Sequence, residues 1–194
     1  MMVMGIFCGS SAGSDTAFID AARATGKTLA QAGIAIVYGG GRVGLMGAVA
    51  DAALAQGGEV IGVMPRLLAD QELSHPGLTT LHVVENMHER KAKMAQIADG
   101  FIAMPGGPGT LEEIFEQWTW AQLGIHDKPC AFLNVNGYFD PLKTMNETMV
   151  RQGFMKQPYA DMLTFSDSIE DILRVFATYT PPPHKWTPAF RQVG

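Results

Sequence analysis

Short apolar runs alternate with longer amphipathic or alanine-rich stretches along almost the whole chain. Residues 2–10, MVMGIFCGS, read as a buried strand entering the small-residue loop SSAGSD. Ser14 or Asp15 is placed to cap a helix over TAFIDAARATGKTLAQAG, which Gly33 closes. IAIVYGGG is a second strand, followed by an alanine-rich helix, GLMGAVADAALAQGG. EVIGVMP is a third strand, and the polar passage at residues 66–77 is a surface excursion. TTLHVVEN and FIAMPGG read as strands on either side of a helix, MHERKAKMAQIADG, closed by Gly100. TLEEIFEQWTWAQLG is the next helix, ended by Gly124, and KPCAFLNVNG the sixth strand. Two more helices are predicted, YFDPLKTMNETMVRQG and SIEDILRVFATY. The tail TPPPHKWTPAF cannot be helical and is expected to lie over the surface.

Strand and helix alternate, and the strands are apolar throughout rather than on one face. That predicts an α/β fold, a parallel sheet covered by helices on both sides. The 194 residues suit a single domain over residues 1–180 with a Pro-rich C-terminal tail at 181–194. In open parallel sheets the ligand lies beyond the carboxyl ends of the strands, so chemistry is sought there.

Composition narrows the classes. A net charge of −5 argues against general nucleic-acid binding, though not against a small anion in a local pocket. No apolar run reaches the ~18 residues of a membrane helix, and no signal peptide is evident, so a cytoplasmic location is expected. Cys8 and Cys130 lie far apart and fit free buried thiols. The histidines (His75, His82, His88, His126, His184) make no metal-binding pair, and no metal site is expected. Ser10 and Ser11 lack a nucleophile elbow and read as ligand or loop hydrogen bonders. Trp118 and Trp120 read as core or subunit interface.

Two glycine loops remain. In YGGGRVGLMG, Gly39, Gly41 and Gly44 have the GxGxxG spacing, with Arg42 as a possible cation. They read either as a phosphate cradle or as a tight turn with close helix packing. The acid that NAD would want about 20 residues on is absent, and Pro65 and Arg66 stand there instead. PGGPGT has no GK[ST] and is not a triphosphate loop, but two amide-rich loops with the Thr110 hydroxyl suit a monophosphate. Of the adjacent Glu112 and Glu113, about 100° apart on a helix, only one can face a pocket. Thr110-x-x-Glu113 fits a capping box, and a carboxylate beside a bound sugar is the alternative. Arg90 and Lys91 begin a helix, where cations oppose the dipole. They are either a solvated pair, with Glu85 and Glu89 to neutralise them, or cations for an outside partner.

Taken together and in this order, YGGGRVGLMG, MHERK and PGGPGTLEE resemble the LOG (Lonely Guy) family of cytokinin riboside 5′-monophosphate phosphoribohydrolases. CGSSAG and WTWAQLGIHDKP add to the likeness, which runs over about residues 3–153. The resemblance implies a Rossmann-like, doubly wound parallel sheet, a homodimer, and no metal or organic cofactor. It implies hydrolysis of the N-glycosidic bond of a nucleoside 5′-monophosphate such as AMP or N6-prenylated AMP. Arg90 and Glu113 carry over as the catalytic pair. Gly39, Gly40, Gly41, Met87, Lys91, Gly106, Gly107, Gly109 and Thr110 carry over as substrate binders. The partners expected are a small nucleotide substrate and a second copy of the chain, with no nucleic acid and no membrane. Two rivals stay open: a non-catalytic nucleotide sensor and a pyridoxal-phosphate decarboxylase. The second would need a Schiff-base lysine that no glycine loop supplies.

Overall fold

A computed structural model describes residues 1–71 and 73–185. The part of the tail at residues 186–194 lies outside the described residues, and so does Glu72 of the excursion. The elements run β1 (Val3–Phe7), α1 (Thr16–Gln31), β2 (Ala35–Tyr38), α2 (Gly44–Ala55), β3 (Val60–Pro65) and the single turn α3 (Arg66–Ala69). They continue with β4 (Thr80–Val84), α4 (Met87–Ile97), β5 (Gly100–Ala103), α5 (Pro108–Leu123) and β6 (Cys130–Leu133). A 3-10 turn (Val135–Gly137), α6 (Asp140–Arg151), α7 (Gln157–Ala160), β7 (Leu163–Ser166) and α8 (Ile169–Ala177) complete the chain.

The strands form one sheet in the order β4-β3-β2-β1-β5-β6-β7, and every pairing is parallel. The continuous apolar runs explain how both faces are filled. Successive residues point to opposite sides, so Ile6, Ile36, Ile102 and Ala131 join α1, α2 and α8 in one core. Phe7, Val37, Phe101 and Phe132 join α4 and α5 in the other. Trp118 belongs to that second core, its Nε1 donating to the Tyr159 carbonyl at 2.9 Å, and the half-buried Trp120 packs beside it. Strand order reverses between β1 and β5, which opens a crevice past their carboxyl ends.

Local chemistry sets the boundaries. Asp15 caps α1, accepting from the Ala17 amide at 2.9 Å, and Gly33 follows with φ 69°. α4 starts in a reciprocal cap. The Asn86 side chain accepts from the Glu89 amide at 2.9 Å, and Glu89 accepts from the Glu85 amide at 3.0 Å. Glu85 itself pairs with Arg66 at 3.1 Å. The expectation that Glu85 and Glu89 neutralise Arg90 and Lys91 is therefore corrected: both acids are spent elsewhere.

Three boundaries differ from the sequence reading. LTFS, too short and too polar to stand out, forms the edge strand β7 beside β6. The helix expected from Tyr138 begins at Asp140, after the 3-10 turn. α5 begins at Pro108, in the first helical position that proline favours. Thr110 is then already inside the helix, and the N-cap is Gly107 with no side-chain cap bond. The capping-box reading of Thr110 and Glu113 is overturned by that shift of register. The first residues of the tail are held against the domain, the Lys185 amide donating to the Gln122 carbonyl at 2.9 Å.

Candidate active site

The crevice beyond β1, β2 and β5 holds two adjoining cavities of about 310 and 340 Å³, which share Gly9, Ser10 and Gly107. The PGGPGT loop forms the ridge between them. It is fixed from several sides. The Gly9 amide donates to the Pro105 carbonyl at 3.0 Å, and the Tyr138 hydroxyl donates to the Gly106 carbonyl at 2.7 Å. A side chain at Gly106 would strike the Thr110 hydroxyl oxygen (2.2 Å) and the Gly9 amide (2.8 Å). Gly107 and Gly109 are different: added side chains there would meet nothing within 4 Å. Among the described residues nothing requires glycine at those two positions. With a glycine N-cap, no side chain among the described residues caps the first amides of α5, and Gly107, Gly109 and Thr110 line the first cavity, where a helix N-terminus favours an anion.

On the wall of the first cavity stand Arg90, from the first turn of α4, and Glu113, from the second turn of α5. Their charged ends are 3.4 Å apart, with the side chains only 12% and 11% exposed. Burial pushes the Glu113 carboxyl above the usual carboxylate range, and Arg90 pulls it part of the way back. The result is an acid able to change protonation state nearer neutrality than a surface glutamate does. The Arg90 Nε is buried with no hydrogen-bond partner among the described residues. Met87, at the helix start, has its sulfur 3.6 Å from Arg90 Nη1 and lines the same cavity.

The neighbouring residues take the other side of each helix. Lys91, buried, reaches Glu112 and lies 3.1 Å from Glu116, both on α5. It thus clamps α4 to α5 and does not line the cavity. Arg90 and Lys91 need no outside partner to offset the helix dipole, because α5 supplies three carboxylates. Glu113 turns into the crevice, while Glu112, 55% exposed, sits at its rim.

The structure brings Gly39, Met87, Arg90, Gly107, Gly109, Thr110 and Glu113 together around one cavity, with Gly106 at the adjoining one. Gly40 and Gly41 stand back from it. The Gly40 carbonyl accepts from the His75 amide at 2.8 Å, and the Gly41 carbonyl accepts from the Tyr38 hydroxyl at 2.9 Å. Gly44 has φ 60° and lies against the backbone of Ser10, so packing explains it. Arg42 is exposed on a separate groove between α1 and α2, and His88 is exposed away from the cavity. Cys8, Gly9, Met46 and Pro108 also line the site, and Phe18 and Tyr138 line its neighbour. Cys8, at the end of β1, and the strand-end Gly9 could have been found from their position. No local signal marks Tyr138 or Phe18. Burial, and to a smaller degree Glu113, push the Cys8 thiol far up, so it is an inert wall residue.

Among the described residues no group of three or more His, Cys, Asp or Glu is placed to hold a metal ion. Among the described residues no helix is long and apolar enough to cross a membrane.

Comparisons with known proteins place the chain among its relatives. Residues 46–176 match a family model described as possible lysine decarboxylase. A probable cytokinin riboside 5′-monophosphate phosphoribohydrolase of Oryza sativa subsp. japonica is 46% identical over 175 residues, covering 90% of this chain and 78% of the relative. A cytokinin riboside 5′-monophosphate phosphoribohydrolase of Rhodococcoides fascians is 50% identical over 151 residues, 77% of this chain and 76% of that one. The molybdenum cofactor binding protein of Rippkaea orientalis shares the fold, with a TM-score of 0.70 at 19% identity over 91% of this chain and 96% of its own. Identity of this extent, over most of both chains, decides the family: the chain belongs to the LOG family, the group that the possible lysine decarboxylase model also describes.

Proposed function

We propose that the protein hydrolyses the N-glycosidic bond of a nucleoside 5′-monophosphate, AMP or N6-modified AMP, giving free base and ribose 5-phosphate. The observation that carries this is the buried Arg90–Glu113 pair standing beside an uncapped helix N-terminus in one crevice. The amides of Gly107, Gly109 and Thr110, with the Thr110 hydroxyl, hold the phosphate. The ribose then lies along the wall toward Glu113. Breaking the bond between C1′ and the base nitrogen leaves positive charge on the sugar, which a carboxylate stabilises. A water oxygen bonds to C1′, the bonding pair of the broken bond departs on the base nitrogen, and the water's proton passes to Glu113. Arg90 keeps Glu113 ionised before the reaction and faces the departing base. Phosphate contacts remote from the broken bond fix the sugar, so the nucleoside without phosphate should be a poor substrate.

The same reading takes the active form to be a cytoplasmic homodimer. Leu81 and Val83 on the edge strand β4, with Leu67, offer exposed apolar surface for a second copy. A decarboxylase using pyridoxal phosphate is disfavoured by the residues present: no lysine lines either cavity, and Lys91 is engaged by two glutamates. Incubation with AMP and with N6-prenylated AMP, followed by chromatography for free base and ribose 5-phosphate, tests the proposal. Release from one of them supports it. Binding of both without release from these or other monophosphates would make the protein a non-catalytic nucleotide sensor.

A further inference from the structure

Gly39 has a reason to be glycine that its motif does not suggest. A side chain there would stand 2.0 Å from Arg90 Nη2 and 3.0 Å from its Cζ, so the guanidinium lies directly against the Gly39 backbone. The conformation itself does not demand glycine, since of the three consecutive glycines Gly39, Gly40 and Gly41 only Gly40 has positive φ, at 81°. Nor can this stretch of backbone readily step aside. Tyr38 is fully buried in β2, and its hydroxyl ties down the Gly41 carbonyl. The Gly40 carbonyl is bonded to the His75 amide, and Gly41 bridges to Ser74. Any methyl group at residue 39 would therefore displace the end of Arg90, the one mobile part of the contact.

We infer that Gly39 is a positioning residue: its bare backbone is the seat that lays Arg90 flat and aims it at Glu113. The inference rests on the proposed hydrolysis for its kinetic consequences, but the seat itself is testable without turnover. It also gives a different meaning to this glycine from the phosphate-binding one that the GxGxxG spacing suggests.

The charged and titratable groups around Glu113 are Arg90 and Lys91 on α4, Glu112 and Glu116 on α5, and Cys8 at the end of β1. Of these, Arg90 supplies the three atoms nearest to a side chain at Gly39. Gly39→Ala should therefore raise the Glu113 pKa in the direction that Arg90→Ala raises it, read by carbon-13 NMR of the labelled carboxyl. The fold should survive, because the clash is with a side-chain end and not with backbone. With AMP as the probe, kcat should fall on the order of a hundredfold, the scale of a misplaced catalytic group. KM should change little, and the acid limb of the pH profile should move upward. The double variant Gly39→Ala/Arg90→Ala should be no slower than Arg90→Ala alone, since a residue that acts through another adds nothing once that one is gone.

An unmoved Glu113 titration in Gly39→Ala overturns the inference, whatever the activity. Additive losses in the double variant also overturn it and assign Gly39 to direct contact with the nucleotide. If the wild-type protein releases no base from AMP or from N6-prenylated AMP, the hydrolase reading fails, and the titration still decides the seat.

Discussion

Removing the Arg90 side chain should destabilise the protein by an amount that depends on pH. Arg90→Ala leaves Glu113 buried without its counter-charge, where the carboxylate is 11% exposed. Breaking a buried pair by deleting one partner costs about 3–5 kcal/mol, and the low end applies because the pair borders the open crevice. For a chain of this size about 3 kcal/mol lowers Tm by roughly 6–12 °C. Glu113 can escape by taking up a proton. Burial already holds its pKa above the ordinary value, and loss of Arg90 raises it further. A carboxyl whose folded pKa exceeds its unfolded one contributes stability that is complete below the unfolded value and drains away as pH rises through the folded value. The deficit of Arg90→Ala against wild type should thus be smaller at about pH 5 than at about pH 8. Adding Glu113→Gln removes the charge, so the double variant should recover most of the loss at the higher pH. Melting curves for the three proteins at both pH values provide the assay. Equal deficits at the two pH values, or no recovery in the double variant, would refute the reasoning.

Other substitutions test other parts of the site. Glu113→Gln should retain AMP binding by calorimetry and lose on the order of 10²–10³ in kcat, the scale of one lost electrostatic stabiliser. Gly106→Ala should perturb the loop, because its methyl group meets both the Thr110 hydroxyl and the Gly9 amide; AMP affinity and Tm should fall together. Lys91→Met should separate α4 from α5 and leave Glu116, 25% exposed, without its cation; a loss of about 3 kcal/mol in urea unfolding is expected. Burial and Lys128 lower the His126 pKa to about 4. A depressed folded pKa gives stability that is present above the unfolded value of about 6.5 and is lost as pH falls toward about 4. His126→Gln should flatten the fall of Tm over that window, and an unchanged slope would count against the assignment.

Much of the architecture was legible because buried parallel strands must be apolar on both faces. Ile6 and Phe7, or Ala131 and Phe132, serve opposite cores from neighbouring positions, and that leaves the continuous runs seen in the sequence. β7 was not legible, since an edge strand carrying Thr164 and Ser166 has no such run. At the site, the PGGPGT loop and Glu113 stood out, and the choice between helix cap and pocket acid did not resolve locally. It turned on whether the N-cap of α5 was Gly107 or Thr110, a shift of three residues. The pairing of Arg90 with Glu113, and of Lys91 with Glu112 and Glu116, depends on α4 and α5 lying side by side, which spacing along the chain does not encode. Tyr138 reaches Gly106 from 32 positions away, with nothing nearby to mark it.

Gly109 sets resistance to heat against usefulness. It occupies the first turn of α5 with open space where a side chain would go. Alanine there would stiffen the unfolded chain less than proline but enough to gain about 0.4–1 kcal/mol. A breeder of hardier variants who watched only melting curves would welcome that change. If the phosphate sits there as proposed, the methyl group would meanwhile take its space, and the improved protein would have gone blind.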